Sequence, residues 1–554
     1  MKHVIVIGAG FSGLAAAAHL ARGGTRVTVV ERHEQAGGRA RTWSEAGFHF
    51  DMGPSWYWMP DLFERFFRAF GHEVDDLYDL RRLDPSYRIV WPAPGAAAMP
   101  STTGSPACPP ASAPASAPAS GAPGSGADSW DVPAGIPALR DFFEAREPGA
   151  GAALDRFLAE TGAIYEAAFS DYLFRPSLTF REFVDPRLVT ELVRMRMLRS
   201  MHNYARSFFR DERLARLVEW PVLFLGASAR KTSAMYSLMG YADMALGTWY
   251  PMGGMHRVIQ GMVQVAENEG VEFRFGSRVE RIRVEGGRAV GVELAGAAGG
   301  GELDGGEPGG GEPGGGEPGP VLRADAVLAS ADYHHVEQAL LAPEHRQYSE
   351  RYWEGRTMSP SSLLYYLGIQ GGLGDLPHHT LFFDQDLDAH MAAVYDRPAW
   401  PRAPLFYACA PSVTDPSVAP EGASNVFLLV PLAPGLEDSD AAREEIFQGV
   451  MTRLEAHVGR PLREHLVVKR SYAMRDFEAD YDAFKGNAYG MANTLRQTGP
   501  LKPRLRSSRV GGLYFAGQLT VPGPGMPPSL VSGELSARVL LEDLGLDGSG
   551  ATSR

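Results

Sequence analysis

Two hydrophobic periods divide the chain. Short continuous apolar runs, KHVIVIGAG at 2–10, RVTVVE at 26–31 and DAVLAS at 325–330, predict buried parallel strands. GVEFRFGSRVERIRVEGGRAVGVEL at 270–294 alternates and breaks at glycines, which predicts antiparallel strands. Residues from about 133 to 220 carry Phe, Leu, Met and Arg in a mostly helical pattern. Near the end, Leu513 to Ala516 reads as a strand and Ser529 to Leu544 as a helix, joined by a turn crowded with glycine and proline. The fold class expected is α/β.

Two stretches follow neither period. Residues 93–128, with ASAPASAPASGAPGSGAD, and residues 295–320, repeating Gly-Gly-Glu-Pro-Gly, hold too few large apolar groups to offset ordering entropy. Both are expected to be disordered insertions. GRAVGVEL and VLRADAVLAS fit a hairpin whose loop has grown, since a longer loop adds little closure entropy.

The chain has 554 residues, more than one minimal core needs, so interleaved domains are expected. A net charge of −13 argues against nucleic acid as the main partner. Cys108 and Cys409 are the two cysteines, and Cys108 lies in low-complexity sequence, so no disulfide framework is implied. No apolar run reaches the length of a membrane span.

Gly8, Gly10 and Gly13 form G-x-G-x-x-G between a strand and a helix. Gly8 permits the turn, Gly10 lets backbone approach a pyrophosphate, and Gly13 lets helix and strand pack closely. Glu31 ends the second strand, where a carboxylate bonds ribose hydroxyls. NAD and FAD share this fingerprint. A second glycine turn follows at once, with Gly37, Gly38 and Arg39, then FHFDMGPSW with Gly53 and Pro54.

These segments resemble the FAD-dependent amine oxidase and carotenoid desaturase superfamily, and the chain looks like a bacterial-type phytoene desaturase. The resemblance spans nearly all of the chain outside the insertions. GAGFSGLAAAAHLARGG, EQAGGRA, FDMGPSW, SAMYSLMGYADMALGTWYPMGGM, ADAVLASADY, GNAYGMANTLRQTGPLKPRLRS and YFAGQLTVPGPGMPPSLVSGE carry it. It implies a Rossmann-like FAD-binding domain at 1–75, 248–332 and 486–545. A mixed α+β substrate domain with a helical region would then occupy 76–247 and 333–485. It also implies FAD contacts from Phe11, Ser12, Arg32, Val279, Gly517, Gln518, Gly525 and Met526. The closing turn would bring the positive end of the last helix to the flavin ring. Many relatives have Gly-Ala-Gly-Thr-His-Pro-Gly where this chain reads GQLTVPGPG, with Gln518 and Val521 in place of a small residue and a histidine. That departure bears on substrate and product more than on flavin binding.

The resemblance implies hydride transfer from an allylic C–H of phytoene or a related acyclic carotenoid to flavin N5, then proton loss. Other carotenoid oxidoreductases (isomerase, ketolase or hydroxycarotenoid desaturase) and FAD amine oxidases remain alternatives. No metal motif appears, and no metal is expected. Candidate proton acceptors are Asp51, Asp332, His334 and His335, and Trp56, Tyr57, Trp58, Tyr236 and Tyr250 are candidates for a polyene tunnel. The electron acceptor would be oxygen or a membrane quinone. A bilayer-soluble substrate implies cytoplasmic location with peripheral attachment to the inner membrane face. The arginine-rich stretch 187–216 reads either as a basic helix on anionic headgroups or as a lid whose arginines pair with acids.

Overall fold

The computed structural model describes residues 1–92, 128–169, 173–178, 199–225, 228–296 and 319–546. The first apolar run, His3–Ile7, is the central strand of a five-stranded parallel sheet. Its neighbours are Arg26–Val30 on one side and Ala326–Ala329 on the other; Glu272–Arg274 and Leu513–Phe515 form the edges. Strands from four distant parts of the chain thus build one α/β sheet. The helix Phe11–Arg22 is buried through Ala15–Ala18, and the last helix, Met526–Asp543, packs against it. Their approach is close enough that a Cβ on Gly533 would lie 2.2 Å from the Ser12 carbonyl oxygen.

One expectation is corrected. The alternating pattern places Glu272–Arg274 in the antiparallel run, but this strand pairs parallel to Arg26–Val30. The break at Gly276 lets the chain leave the parallel sheet before the alternating part begins. Val279–Glu285 and Arg288–Leu294 do form an antiparallel pair, and Val321–Arg323 joins it, so the second insertion sits between paired strands.

A seven-stranded sheet runs in the order Leu466–Tyr472, Ser361–Gln370, Ala423–Leu432, Phe406–Cys409, His379–Phe382, Tyr87–Trp91, Asp128–Val132. All its pairs are antiparallel except Tyr87–Trp91 with His379–Phe382. Ser361–Gln370 is buried at every position but its last, as expected for a strand covered on both faces. The first insertion joins Tyr87–Trp91 to Asp128–Val132; almost all of both insertions lies outside the described residues.

Ile136–Glu144, Ala150–Ala167, Met201–Ala205 and Glu212–Glu219 form the helical region. Of the arginine-rich stretch, residues 187–198 lie outside the described residues. In the rest, Arg206 pairs with Glu212 and Glu219, Arg213 with Asp128, and Arg216 with Glu212. Those three arginines are therefore paired with acids, while Arg210 stays exposed. No helix among the described residues is long and apolar enough to cross a membrane.

Candidate active site

The carboxyl ends of His3–Ile7, Arg26–Val30 and Ala326–Ala329 open onto a cavity of about 860 Å3, whose far wall includes Leu364 and Leu429 of the seven-stranded sheet. Ligands of open α/β sheets sit at this edge, and the volume is near the top of the range for small-molecule sites, roughly 300–1,000 Å3. Gly8, Gly10, Phe11, Ser12, Glu31, Arg32, Gly37, Gly38, Arg39, Gly53, Pro54, Val279, Gly517, Gln518, Gly525 and Met526 all line it. Gly13 does not. A Cβ there would meet the Gly8 carbonyl oxygen at 1.9 Å, so its part is to let the helix press on the loop.

The glycine-loop end is built for an anion. Gly8 holds φ at +96°, a conformation that favours glycine, and Gly10 has open space where a Cβ would be. Neither Phe11–Arg22 nor Met526–Asp543 has a side-chain cap at its start, which leaves the first amides of Phe11–Arg22 available; in the last helix Pro527 and Pro528 carry no N–H, so Met526 supplies the amide there. Glu31 accepts the Ala9 amide at 2.8 Å and the His33 amide at 2.9 Å, which pins the loop beside the second strand. A dinucleotide fits this cradle: backbone N–H groups for phosphate and a carboxylate for ribose.

Arg39 is half-buried, and desolvation lowers its pKa while Asp332 opposes the shift. Its guanidinium lies over the Tyr481 ring at 4.9 Å. With its amide oxygen turned toward Arg39, Gln518 accepts from the guanidinium at 2.9 Å and donates to the Tyr489 carbonyl at 3.2 Å. The residue that departs from the common closing turn is therefore a partner of Arg39.

The candidate proton acceptors separate. Asp332 and His335 line the cavity; Asp51 and His334 do not. Asp332 caps the helix Tyr333–Gln338 by accepting the His335 amide, and burial raises its pKa. Burial lowers that of His335, whose ring faces Asp482 at 3.5 Å. His334 bonds Glu350 at 2.9 Å. Asp51 accepts the Met255 and His256 amides at the start of the helix His256–Asn268, and burial pushes its carboxyl up to about 6.

The other end of the cavity is aromatic. Trp56, Trp58 and Tyr236 line it, but Tyr57 and Tyr250 turn away, Tyr57 to bond Tyr78 at 2.8 Å. Trp220 and Tyr407, which sequence reasoning missed, complete the wall. Trp56 packs against Trp58 and Trp220 at 5.2 and 5.0 Å between centroids. Trp58 Nε1 donates to Thr248, and Trp220 Nε1 to the Tyr87 hydroxyl, which donates to Asp243 at 2.7 Å. Burial pushes the Asp243 carboxyl up to about 7, against these hydroxyl bonds.

Asp480, Tyr481 and Asp482 also reach the glycine-loop end, although the sequence division put them in the other domain. Asp480 bonds Arg41 at 2.7 Å and Asp482 bonds Arg32 at 2.8 Å. No spacing in the sequence marks them.

The description "flavin containing amine oxidoreductase" fits residues 11–541 as a family match. The chain belongs to that family. FAD is its cofactor, and it is an FAD-dependent oxidoreductase. Among curated relatives it is 38% identical to a carotenoid 3,4-desaturase of Haloarcula japonica, covering 98% of this chain and 99% of that one. It is 30% identical to a zeta-carotene-forming phytoene desaturase of Myxococcus xanthus, covering 98% and 94%. The resemblance to carotenoid desaturases thus holds over the full length. An oxidoreductase from Methanosarcina mazei has the same fold, with a TM-score of 0.55 at 15% identity over 96% of this chain and 99% of that one. So does a putrescine oxidase variant, with a TM-score of 0.55 at 14% identity over 98% and 99%.

Proposed function

We propose that this flavoenzyme desaturates an acyclic carotenoid, phytoene or a later product of the same series. One observation carries the reading: a wall of Trp56, Trp58, Trp220 and Tyr407 is continuous with the glycine-loop end of one cavity. The relatives named for carotenoid desaturation support it over nearly the full chain.

Bound FAD supplies the hydride acceptor. The glycine loop and Glu31 would hold its phosphates and ribose, and Arg39, fixed by Gln518, would contribute positive charge to the same end of the cavity. Gly525 and Met526 aim the positive end of the last helix into the cavity, where it favours negative charge. The aromatic wall excludes water and lies along the polyene. Loss of hydride from a C–H beside a double bond leaves a delocalised allylic cation on the substrate, which aromatic faces stabilise. The neighbouring proton is then acidic enough that no strong base is required. This agrees with Asp332 and His335 being held by structural bonds. Reoxidation by oxygen or a quinone, and peripheral contact with the membrane, complete the proposal.

The test presents phytoene, and separately a more conjugated acyclic carotene, in liposomes to the anaerobic enzyme. Bleaching of the oxidised flavin band with a new, longer polyene chromophore is expected. Bleaching by simple amines such as putrescine, with none by carotenes, would overturn the assignment.

A further inference from the structure

We propose that His378, His379 and Cys409 form a binding site for a zinc-class cation, set behind the aromatic wall. The proposal is independent of which substrate the cavity takes. The donor atoms that these three side chains offer lie within 4.8 Å of one another. All three residues are buried, at 4%, 0% and 3% exposure. His379 and Cys409 are direct partners across the antiparallel pair His379–Phe382 and Phe406–Cys409, and His378 immediately precedes the first of these strands.

The surroundings hold both rings as ligands are held. His378 Nδ1 meets the Thr414 hydroxyl at 2.7 Å, and His379 Nδ1 meets the Tyr407 hydroxyl at 2.7 Å. The two Nε2 atoms are buried with no hydrogen-bond partner. Imidazoles oriented through one nitrogen, with the other bare, are the usual arrangement of metal-binding histidines. Two imidazole nitrogens with one sulfur suit zinc and softer ions, and not magnesium or calcium.

Bond lengths of about 2.0–2.1 Å to nitrogen and 2.3 Å to sulfur place tetrahedral ligand atoms roughly 3.3–3.7 Å apart. From separations of up to 4.8 Å, the set closes by at most about 1.5 Å on binding. Beside Cys409, a cavity of about 20 Å3 bordered by Tyr250 and Asp51 has room for one water. His379 stacks on Trp56 at 4.1 Å, and Tyr407 bonds the Ser55 hydroxyl, so a cation here would stiffen the wall of the large cavity. The sequence conceals the site, because its ligands are an adjacent pair and a cysteine on another strand, without motif spacing.

The test uses the FAD-loaded, full-length enzyme dialysed against metal-free buffer, with Zn2+ and Co2+ as probes. One zinc per chain is expected to bind and to raise Tm. Co2+ should give a thiolate-to-cobalt charge-transfer band in difference against the zinc form. Cys409→Ser should abolish that band. Thr414→Ala, which leaves every ligand in place, should weaken Zn2+ binding about 10–100-fold while keeping the band; it decides the matter should Cys409→Ser fail to fold. Absence of stoichiometric binding and of the band in wild type would mean that the small cavity holds only water, and would overturn the proposal. Equal affinity in wild type and Thr414→Ala, or an unchanged band in Cys409→Ser, would do so as well.

Discussion

Gly10 and Gly13 belong to one motif, yet the structure gives them separable tasks. A methyl group at Gly10 meets nothing within 4 Å and points into open space at the cavity edge. The backbone there is extended, with φ −79° and ψ −179°, so alanine fits without strain. Gly10→Ala should leave the FAD-free protein as stable as wild type, or up to about 1 kcal/mol more stable through a less free unfolded chain. The same methyl occupies the space a diphosphate needs, and FAD affinity should fall at least tenfold. At Gly13 the new Cβ would lie 1.9 Å from the Gly8 carbonyl oxygen, roughly 1.5 Å short of normal contact at about 3.5 Å. Helix and loop must separate, at a cost of about 1–3 kcal/mol or more. The assay is urea unfolding with and without FAD. At 100 times the wild-type Kd, FAD adds about 2.7 kcal/mol to wild type and about 1.4 kcal/mol to a variant that binds tenfold more weakly. Gly10→Ala should thus lose stability only in the presence of FAD, and Gly13→Ala in both conditions. Wild-type FAD binding by Gly10→Ala would refute the cradle, and wild-type stability of Gly13→Ala would refute the close packing.

Two further outcomes follow from buried carboxylates. Glu31→Ala removes charge-assisted bonds to ribose and frees the Ala9 and His33 amides, so FAD binding should weaken by about 1.5–3 kcal/mol in a fluorescence titration; unchanged affinity would remove Glu31 from the site. The Asp243 carboxyl is held at about 7, above the unfolded value near 3.9, so the folded state holds the proton more tightly. Its stabilising effect is present below about pH 4 and is lost as pH rises to 7, by at most about 4 kcal/mol. Asp243→Asn should flatten this part of the stability profile between pH 5 and 7.5, and an identical slope in the variant would show that another group is responsible.

What contiguous residues can encode was legible. His3–Ile7 and Arg26–Val30 are strands because every position after His3 and Arg26 is buried between two covered faces, and Gly8, Gly10 and Gly13 act within one strand, turn and helix. The last helix was legible from Ser529 on; it begins earlier, at Met526, because Pro527 and Pro528 fit its first turn. Partners across the fold were not legible. Arg41 meets Asp480 from 439 residues away, and Gln518 finds Arg39 only when the closing turn folds back on the glycine loop. Glu272–Arg274 alternates like an antiparallel strand, but the edge it joins decides its direction. Tyr57 and Trp58 are neighbours in sequence, and the packing of Tyr78 and Thr248 decides which of them faces the cavity. Backbone geometry is set by steric limits within a few residues and so appears in local sequence. The company a side chain keeps depends on which segments pack together, and only the folded chain determines that.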